Sequence, residues 1–546
     1  MPQEERFPST ESPGDLVTVV LSLSRSARTA RVTQGRGATV EEAVGVASRQ
    51  LLALAEPEEI SSGRLKLDVV LDWQREAPGF GDAGLLDRRQ LGYWLAEPGL
   101  LLLSEELLSR QVMDTGGRLR PDSLRSYLAE DGRGVPPELV EIEASAPAKP
   151  EPNFPVVMSF FEDFQGGAYE LVRGNRQPEI TPDALLSAAI AGGEYLLRHQ
   201  LPDGSFGYNY DPRFDGYLGA SNLLRQAGTC YSLFELFEKT GDERFLVAGE
   251  GGLESLLRFA RPPRPEDTEA GFEAIVSRGG RAKLGGTALA LLALLKHYEV
   301  TEDDRWREKM DRLARFLTFQ QAPDGRFEHL YFLGKAEGPP FESLYYPGEA
   351  VLALVRYSRI HPEGSQSSWF NAAERGAGWL MGVRDLGKTY DQLPHDHWLL
   401  MALDELHELT GGRRQYYLHG RRIALGILST QRQEDPNPEW VGTYYAPPGS
   451  TSTATRSEAL IAIHSITLRA EVDPGQYQIA LEKAAAFQLR CQFNEENVLY
   501  LPRPDRSLGG FREGLAQWSV RIDYVQHNLS SLLGLREILL THDLTP

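Results

Sequence analysis

Glu349, Glu458, His397 and His527 are the residues of this sequence best suited to moving protons. Each belongs to a polar or aromatic cluster opening an apolar segment: Tyr345-Tyr346-Pro347-Gly348-Glu349, Thr455-Arg456-Ser457-Glu458, His395-Asp396-His397-Trp398 and Asp523-Tyr524-Val525-Gln526-His527. Two more segments open with Arg225-Gln226-Ala227-Gly228-Thr229 and Gly285-Gly286-Thr287. A pair of carboxylates can act as general acid and base, or as a hydrolytic pair. Histidine titrates near neutrality and can replace either. Arg225, Tyr346, Asp396, Trp398, Tyr445, Arg456, Asp523 and Tyr524 supply the cations, hydroxyls and rings that would bind a substrate.

Plain structural roles compete at each position. With Pro347 at a first helical position, Glu349 falls in a first turn and complements the helix dipole. Thr455-Arg456-Ser457-Glu458 has the form of a capping box, as does Asp523-Tyr524-Val525-Gln526. Arg456 has no such role, since a cation in a first turn opposes the dipole and calls for a carboxylate or an anionic ligand. His395 and His397 stand about 200° apart on a helix, so only one can face inward, and this cluster alone cannot hold a metal. His527 can also be read as a satisfied core histidine.

The clusters recur roughly every 50–65 residues, a period of stacked helical hairpins. Segments such as Thr287–Leu295 are apolar almost all round and must be buried on every side. The alternating set, typified by Asp303–Met310, is amphipathic and suits an outer layer. That set ends near Gln200, Ala260, Gln321, Val383, Gln431 and Gln492. Six such pairs predict an (α/α)6 toroid over residues 155–546. Links from inner to outer helices are short; links from outer to inner are mostly long and aromatic. The long-loop face also collects six helix N-termini, which favour an anionic or oxygen-rich ligand.

The chain has 546 residues and a formal net charge of −20, which argues against nucleic-acid binding because phosphate contacts need clustered cations. Two cysteines, Cys230 and Cys491, exclude a disulfide framework or a thiolate cluster. No uncharged run approaches the ~20 residues of a membrane span. The N-terminus lacks the features of a signal peptide, and the expected location is cytoplasmic. No metal or cofactor is expected. The sequence leaves the oligomeric state open.

Residues 1–132 predict a small α+β domain, with strands over Leu16–Leu23, Leu65–Leu71 and Leu100–Leu103 and a helix capped by Thr39. Residues 133–154, rich in proline and small residues, predict a linker.

The ring resembles the six-hairpin toroids of carbohydrate-active enzymes, and within them the N-acylglucosamine 2-epimerase-like class. Tyr346-Pro347-Gly348-Glu349-Ala350 is similar to a Pro-Gly-His turn of those epimerases, and Arg456-Ser457-Glu458-Ala459-Leu460 to their Glu-Ala-Leu helix. Glu349 stands where that turn carries histidine, so the resemblance does not carry two-base epimerisation with it. The Gln-x-x-Asp-Gly-x-Phe pieces at Gln200–Phe206 and Gln321–Phe327 resemble a terpene-cyclase repeat, but the acid motifs of terpene ionisation are absent. Arg31–Ala43 faintly resembles an AMMECR-type domain without its Arg-Gly-Cys-Ile-Gly signature.

The resemblance implies an enzyme acting on a saccharide, anionic ones included, in the central cleft, as a glycoside hydrolase or a sugar epimerase or isomerase. Glu349 and Glu458 would be the acid/base pair, with His397 and His527 as alternates. A non-catalytic ligand-binding or scaffold protein is the other reading, because capping and the dipole can account for both carboxylates.

Overall fold

The computed structural model describes residues 16–74, 92–95, 99–112, 120–131, 133, 154–163, 165–334 and 341–542. Gly132–Pro137 and Ala146–Pro152, the segments that predicted a linker, lie outside the described residues except for Arg133.

Five antiparallel strands form the N-terminal sheet: β1 (Val17–Arg25), β2 (Arg28–Gly37), β3 (Leu65–Gln74), β4 (Phe154–Glu162) and β5 (Ala168–Leu171), in the order β2-β1-β3-β4-β5. The extended segment expected after residue 155 is thus part of this sheet. Leu100–Leu103 is a strand, but pairs with Gly92–Leu95 in a separate ribbon. Helix α1 (Val40–Leu54) starts at the expected Thr39 cap, whose hydroxyl accepts the Glu42 amide at 3.2 Å. Its Ala43, Ala47 and Leu51 pack on Val19, Leu21 and Leu23 of one sheet face. The other face packs Val20, Val32 and Phe161 against Leu499 and Tyr500 from the C-terminal half. The Ala30 amide donates to the Leu499 carbonyl at 2.7 Å, so the sheet is tied to the helical part by backbone as well as by apolar contact.

Twelve long helices then alternate between two layers. The inner ones are α3 (Leu223–Thr240), α5 (Leu284–Thr301), α7 (Tyr346–Arg359), α9 (His397–Leu409), α11 (Ser450–Arg469) and α13 (Ile522–His542). Each packs on the next, and α13 packs back on α3, so the ring closes. The outer ones are α2 (Pro182–Arg198), α4 (Glu243–Leu257), α6 (Arg307–Phe319), α8 (Ser368–Trp379), α10 (Arg414–Thr430) and α12 (Gly475–Arg490). This is the (α/α)6 toroid. Helix α5 is buried at every position from Leu284 to His297, as its all-round apolar sequence requires.

Glutamines staple the outer layer. Gln200, Gln321 and Gln431 follow α2, α6 and α10, and donate from Nε2 to the carbonyls of Ala248, Ala372 and Ala480 on the next outer helices, at 2.8, 2.9 and 2.8 Å. Gln492, after α12, donates to Ala188 of α2 at 2.8 Å and so joins the last outer helix to the first. The same glutamine holds its own loop through the Gly509 carbonyl at 3.0 Å. Gly509 has φ of +79°, and a Cβ there would lie 1.9 Å from the Ala191 carbonyl oxygen; only glycine lets the loop approach α2 this closely. Among the described residues no helix is long and apolar enough to cross a membrane.

Candidate functional site

The heads of the inner helices lie at one end of the ring, and three of them build a polar cluster. His397 is the first residue of α9, Glu458 lies in the third turn of α11 and His527 in the second turn of α13. His527 Nδ1 is 3.1 Å from both carboxylate oxygens of Glu458, and His397 Nε2 is 3.7 Å from Oε2. All three side chains are buried. A carboxylate only accepts, so His527 donates from Nδ1 to Glu458. Neither ring nitrogen of His397 has a hydrogen-bond partner among the described residues. Burial, His527, Arg456 and Arg225 hold its basicity well below the usual histidine range, so it is neutral. The two imidazole centroids are 5.8 Å apart, and Trp398 lies 5.0 Å from the ring of His397 and 6.4 Å from that of His527.

Glu349 of α7 lies apart from these three, beside Gly285 and Tyr346, with Arg225 and Asp396 as its charged neighbours. Its backbone amide bonds to Tyr345 in the first turn, as Pro347 suggested, but its carboxyl does not serve the helix end. Oε2 has no partner, and burial, eased by Arg225 and reinforced by Asp396, pushes the group up to about 8. Glu349 is therefore a protonated acid at neutral pH. Tyr346 is buried beside it, its own hydroxyl pushed up to about 12 by burial.

Two expected capping boxes are absent. Helix α11 starts at Ser450, not at Thr455, so Glu458 is too deep to cap and Arg456 sits in the second turn. Within this polar run the hydroxyls are satisfied by the backbone, Ser452 and Thr453 donating to the Gly449 carbonyl at 2.9 and 2.8 Å. Asp523 instead accepts from Arg521 and lies 3.3 Å from Arg225 Nε. Tyr524 donates to Glu513 at 2.8 Å. Asp396, expected to bind substrate, is fully buried; it caps α9 through the Leu399 amide at 3.0 Å and pairs with Arg384 at 2.8 Å. His395 turns toward Gly426 while His397 faces the ring; His395 lies before the Asp396 cap and outside α9, so the helical angle expected between the two does not apply. Tyr445 is half-exposed and covers the Arg456 guanidinium, 4.6 Å from its ring centroid.

Three groups went unnoticed in the sequence. Glu513 orients Tyr524, and Arg384 holds Asp396. Glu235, farther down the axis, accepts from Ser530 and is raised by burial. A cavity of ≈ 30 Å³ lies between Glu235, Tyr231, Trp398, Glu458 and His527, room for about one water. The signal for Glu235 was available: a single carboxylate inside Leu233-Phe234-Glu235-Leu236-Phe237.

His397, Glu458 and His527 offer donor atoms all within 4.8 Å of one another, a spacing compatible with a cation. The charges nearby oppose one, since Arg225 and Arg456 both bear on His397.

No protein-family model matches this chain, and no curated protein matches it. Among solved structures it is similar to an α-1,6-mannanase of a Salegentibacter species, with 12% identity and a TM-score of 0.46 over 65% of this chain and 99% of that one. It is similar to cellobiose 2-epimerase of Bacillus thermoamylovorans, with 11% identity and a TM-score of 0.49 over 65% and 100%. A family 76 glycoside hydrolase of Bacteroides thetaiotaomicron gives 14% and 0.49 over 66% and 99%. At these identities residue roles do not transfer, and the ring stands on the helix contacts of this chain.

Proposed function

We propose that this chain is a carbohydrate-active enzyme that transfers a proton at the carbonyl end of a saccharide, as a sugar isomerase or epimerase. The observation that carries the reading is the buried His397–Glu458–His527 cluster, with one neutral imidazole unpartnered and the other aligned by a carboxylate. Glu458 is the positioning residue, and His397 and His527 are the bases. Protonated Glu349 is the acid available to a developing alkoxide, and Trp398 offers a face to the apolar side of a sugar ring.

The two imidazole centroids are only 5.8 Å apart, with one ring edge-on to the other. This favours moving one proton between neighbouring carbons on the same face, as in aldose–ketose isomerisation, over inversion between opposed bases. Hydrolysis by Glu349 and Glu458 is less well supported, because Glu458 is engaged by His527.

Incubating the protein with aldoses, ketoses and their oligosaccharides in D2O, followed by proton NMR, tests this. Deuterium should enter the carbon next to the carbonyl, and His397→Ala or His527→Ala should abolish its entry. Release of new reducing ends without any exchange would refute proton transfer and restore hydrolysis.

A further inference from the structure

We infer that the saccharide carries an oxyanion, and that Arg456 is the residue that reads it. The inference rests on the saccharide reading for the rest of the ligand, but the anion site itself rests on the charges.

Arg456 is 5% exposed, yet among the described residues no carboxylate lies within 4.0 Å of it. Nη1 donates to the Ser452 carbonyl at 3.0 Å and to the Thr455 hydroxyl at 3.3 Å, and Nη2 meets the Tyr445 hydroxyl. Nε has no partner. A buried guanidinium held only by neutral oxygens is an uncompensated charge, and such charges are otherwise paired. The nearby arginines differ: Arg225 and Arg521 share Asp523, and Arg384 is held by Asp385 and Asp396.

The neighbours of Arg456 do not supply the missing charge. Glu349 is held as a neutral acid, His397 is neutral, and the carboxylate of Glu458 is turned to the imidazoles of His527 and His397, at 3.1 and 3.7 Å, and makes no ion pair with Arg456 among the described residues. The unpartnered atoms of the site, namely Arg456 Nε, both nitrogens of His397 and Glu349 Oε2, lie on three inner helices at the same end of the ring. Of these, Arg456 Nε with Nη2 forms the planar edge that takes two oxygens of a carboxylate or phosphate, and neutral His397 can add one N–H. Nη2 is reached by displacing Tyr445, the half-exposed side chain that covers it. One unpaired cation matches one negative charge, so a uronic acid is the expected form and a sugar phosphate the alternative source of the same oxyanion.

The test is calorimetric titration of the full chain with glucuronate, galacturonate, glucose 6-phosphate and glucose, and with sodium sulfate as a bare anion. Tighter binding of an anionic sugar than of glucose by about tenfold or more is expected. Arg456→Gln should erase that preference by weakening the anionic sugars far more than glucose, and Arg456→Lys should restore part of it. Circular dichroism and melting curves identify a variant that fails to fold. In that event Tyr445→Phe, which removes only the hydroxyl from Nη2, should strengthen the preference. Preference for a phosphate over a uronate, lost in Arg456→Gln, also supports the inference. Arg456-dependent sulfate binding without any sugar binding supports the anion site and refutes the saccharide. Equal binding of glucose and the anionic sugars, or a preference unchanged in both Arg456→Gln and Tyr445→Phe, overturns the inference and leaves the proton-transfer reading standing.

Discussion

Replacing Glu349 by Gln should make the protein more stable at high pH and leave it unchanged at low pH. The carboxyl is raised from 4.5 to about 8, mainly by burial. Between those values the folded chain holds this proton and the unfolded chain does not. The stabilisation is therefore fully present below pH 4.5, declines as pH rises, and is gone by about pH 8. Each pH unit is worth about 1.4 kcal/mol, so the interval amounts to roughly 5 kcal/mol, of which about 3 has been lost by pH 7. Glutamine has the same shape and no proton to lose, so E349Q lacks this decline. Urea unfolding of both proteins from pH 5 to pH 9 measures it. The difference should be near zero at pH 5, grow through neutrality and level off at about pH 8. Parallel stability curves would show that Glu349 ionises normally, and the neutral acid assigned to the site would be wrong.

Asp396→Ala removes a helix cap of ~1 kcal/mol and a buried partner of Arg384, and should destabilise by about 3–5 kcal/mol in denaturant unfolding, against a smaller loss for Asp396→Asn. Gly285→Ala would place a Cβ 2.0 Å from Glu349 Oε2 and 2.4 Å from Tyr346 Cδ1; it should cost about 1–3 kcal/mol and flatten the pH dependence that Glu349 confers. Gln492→Leu strips the Ala188 and Gly509 carbonyls of their donor, and a loss of about 1–3 kcal/mol should appear in the same assay.

The architecture was readable from the sequence because burial leaves a mark on composition. Leu284–His297 could only be a helix surrounded by other helices, and the aromatic, glycine-rich loops marked the face where the inner helices begin. The start of α11 was misplaced because Ser450, Thr451, Ser452 and Thr453 are poor helix formers in isolation, and tertiary packing in the ring overrides that propensity. Strand β2 escaped because Arg28–Gly37 is polar and gains its place by pairing with β1. The residues of the site were visible one at a time, but their partnerships were not. His527 and Glu458 are 69 residues apart, and they meet only because α13 closes the ring against α11. Glu349 looked like a first-turn acid and Asp396 like a substrate-binding one; burial leaves the first neutral, with Oε2 unpartnered among the described residues, and holds the second as a cap paired with Arg384.

The Gln492–Ala188 staple has a consequence for how the chain can be divided. An open stack of hairpins has end units that need a polar outer face, whereas a ring joined from its last outer helix to its first has none. Every hairpin leans on two others, so a break in a connecting turn removes no interface between helices. The exposed Gly411-Gly412 turn between α9 and α10 is one such place. A chain cut there yields one piece carrying Glu349 and His397 and another carrying Arg456, Glu458 and His527. Each piece ends in two bare helical flanks that only the other can cover, and neither holds a complete site. Catalysis would then belong to the reassembled pair alone, which makes this ring a natural frame for fragment complementation.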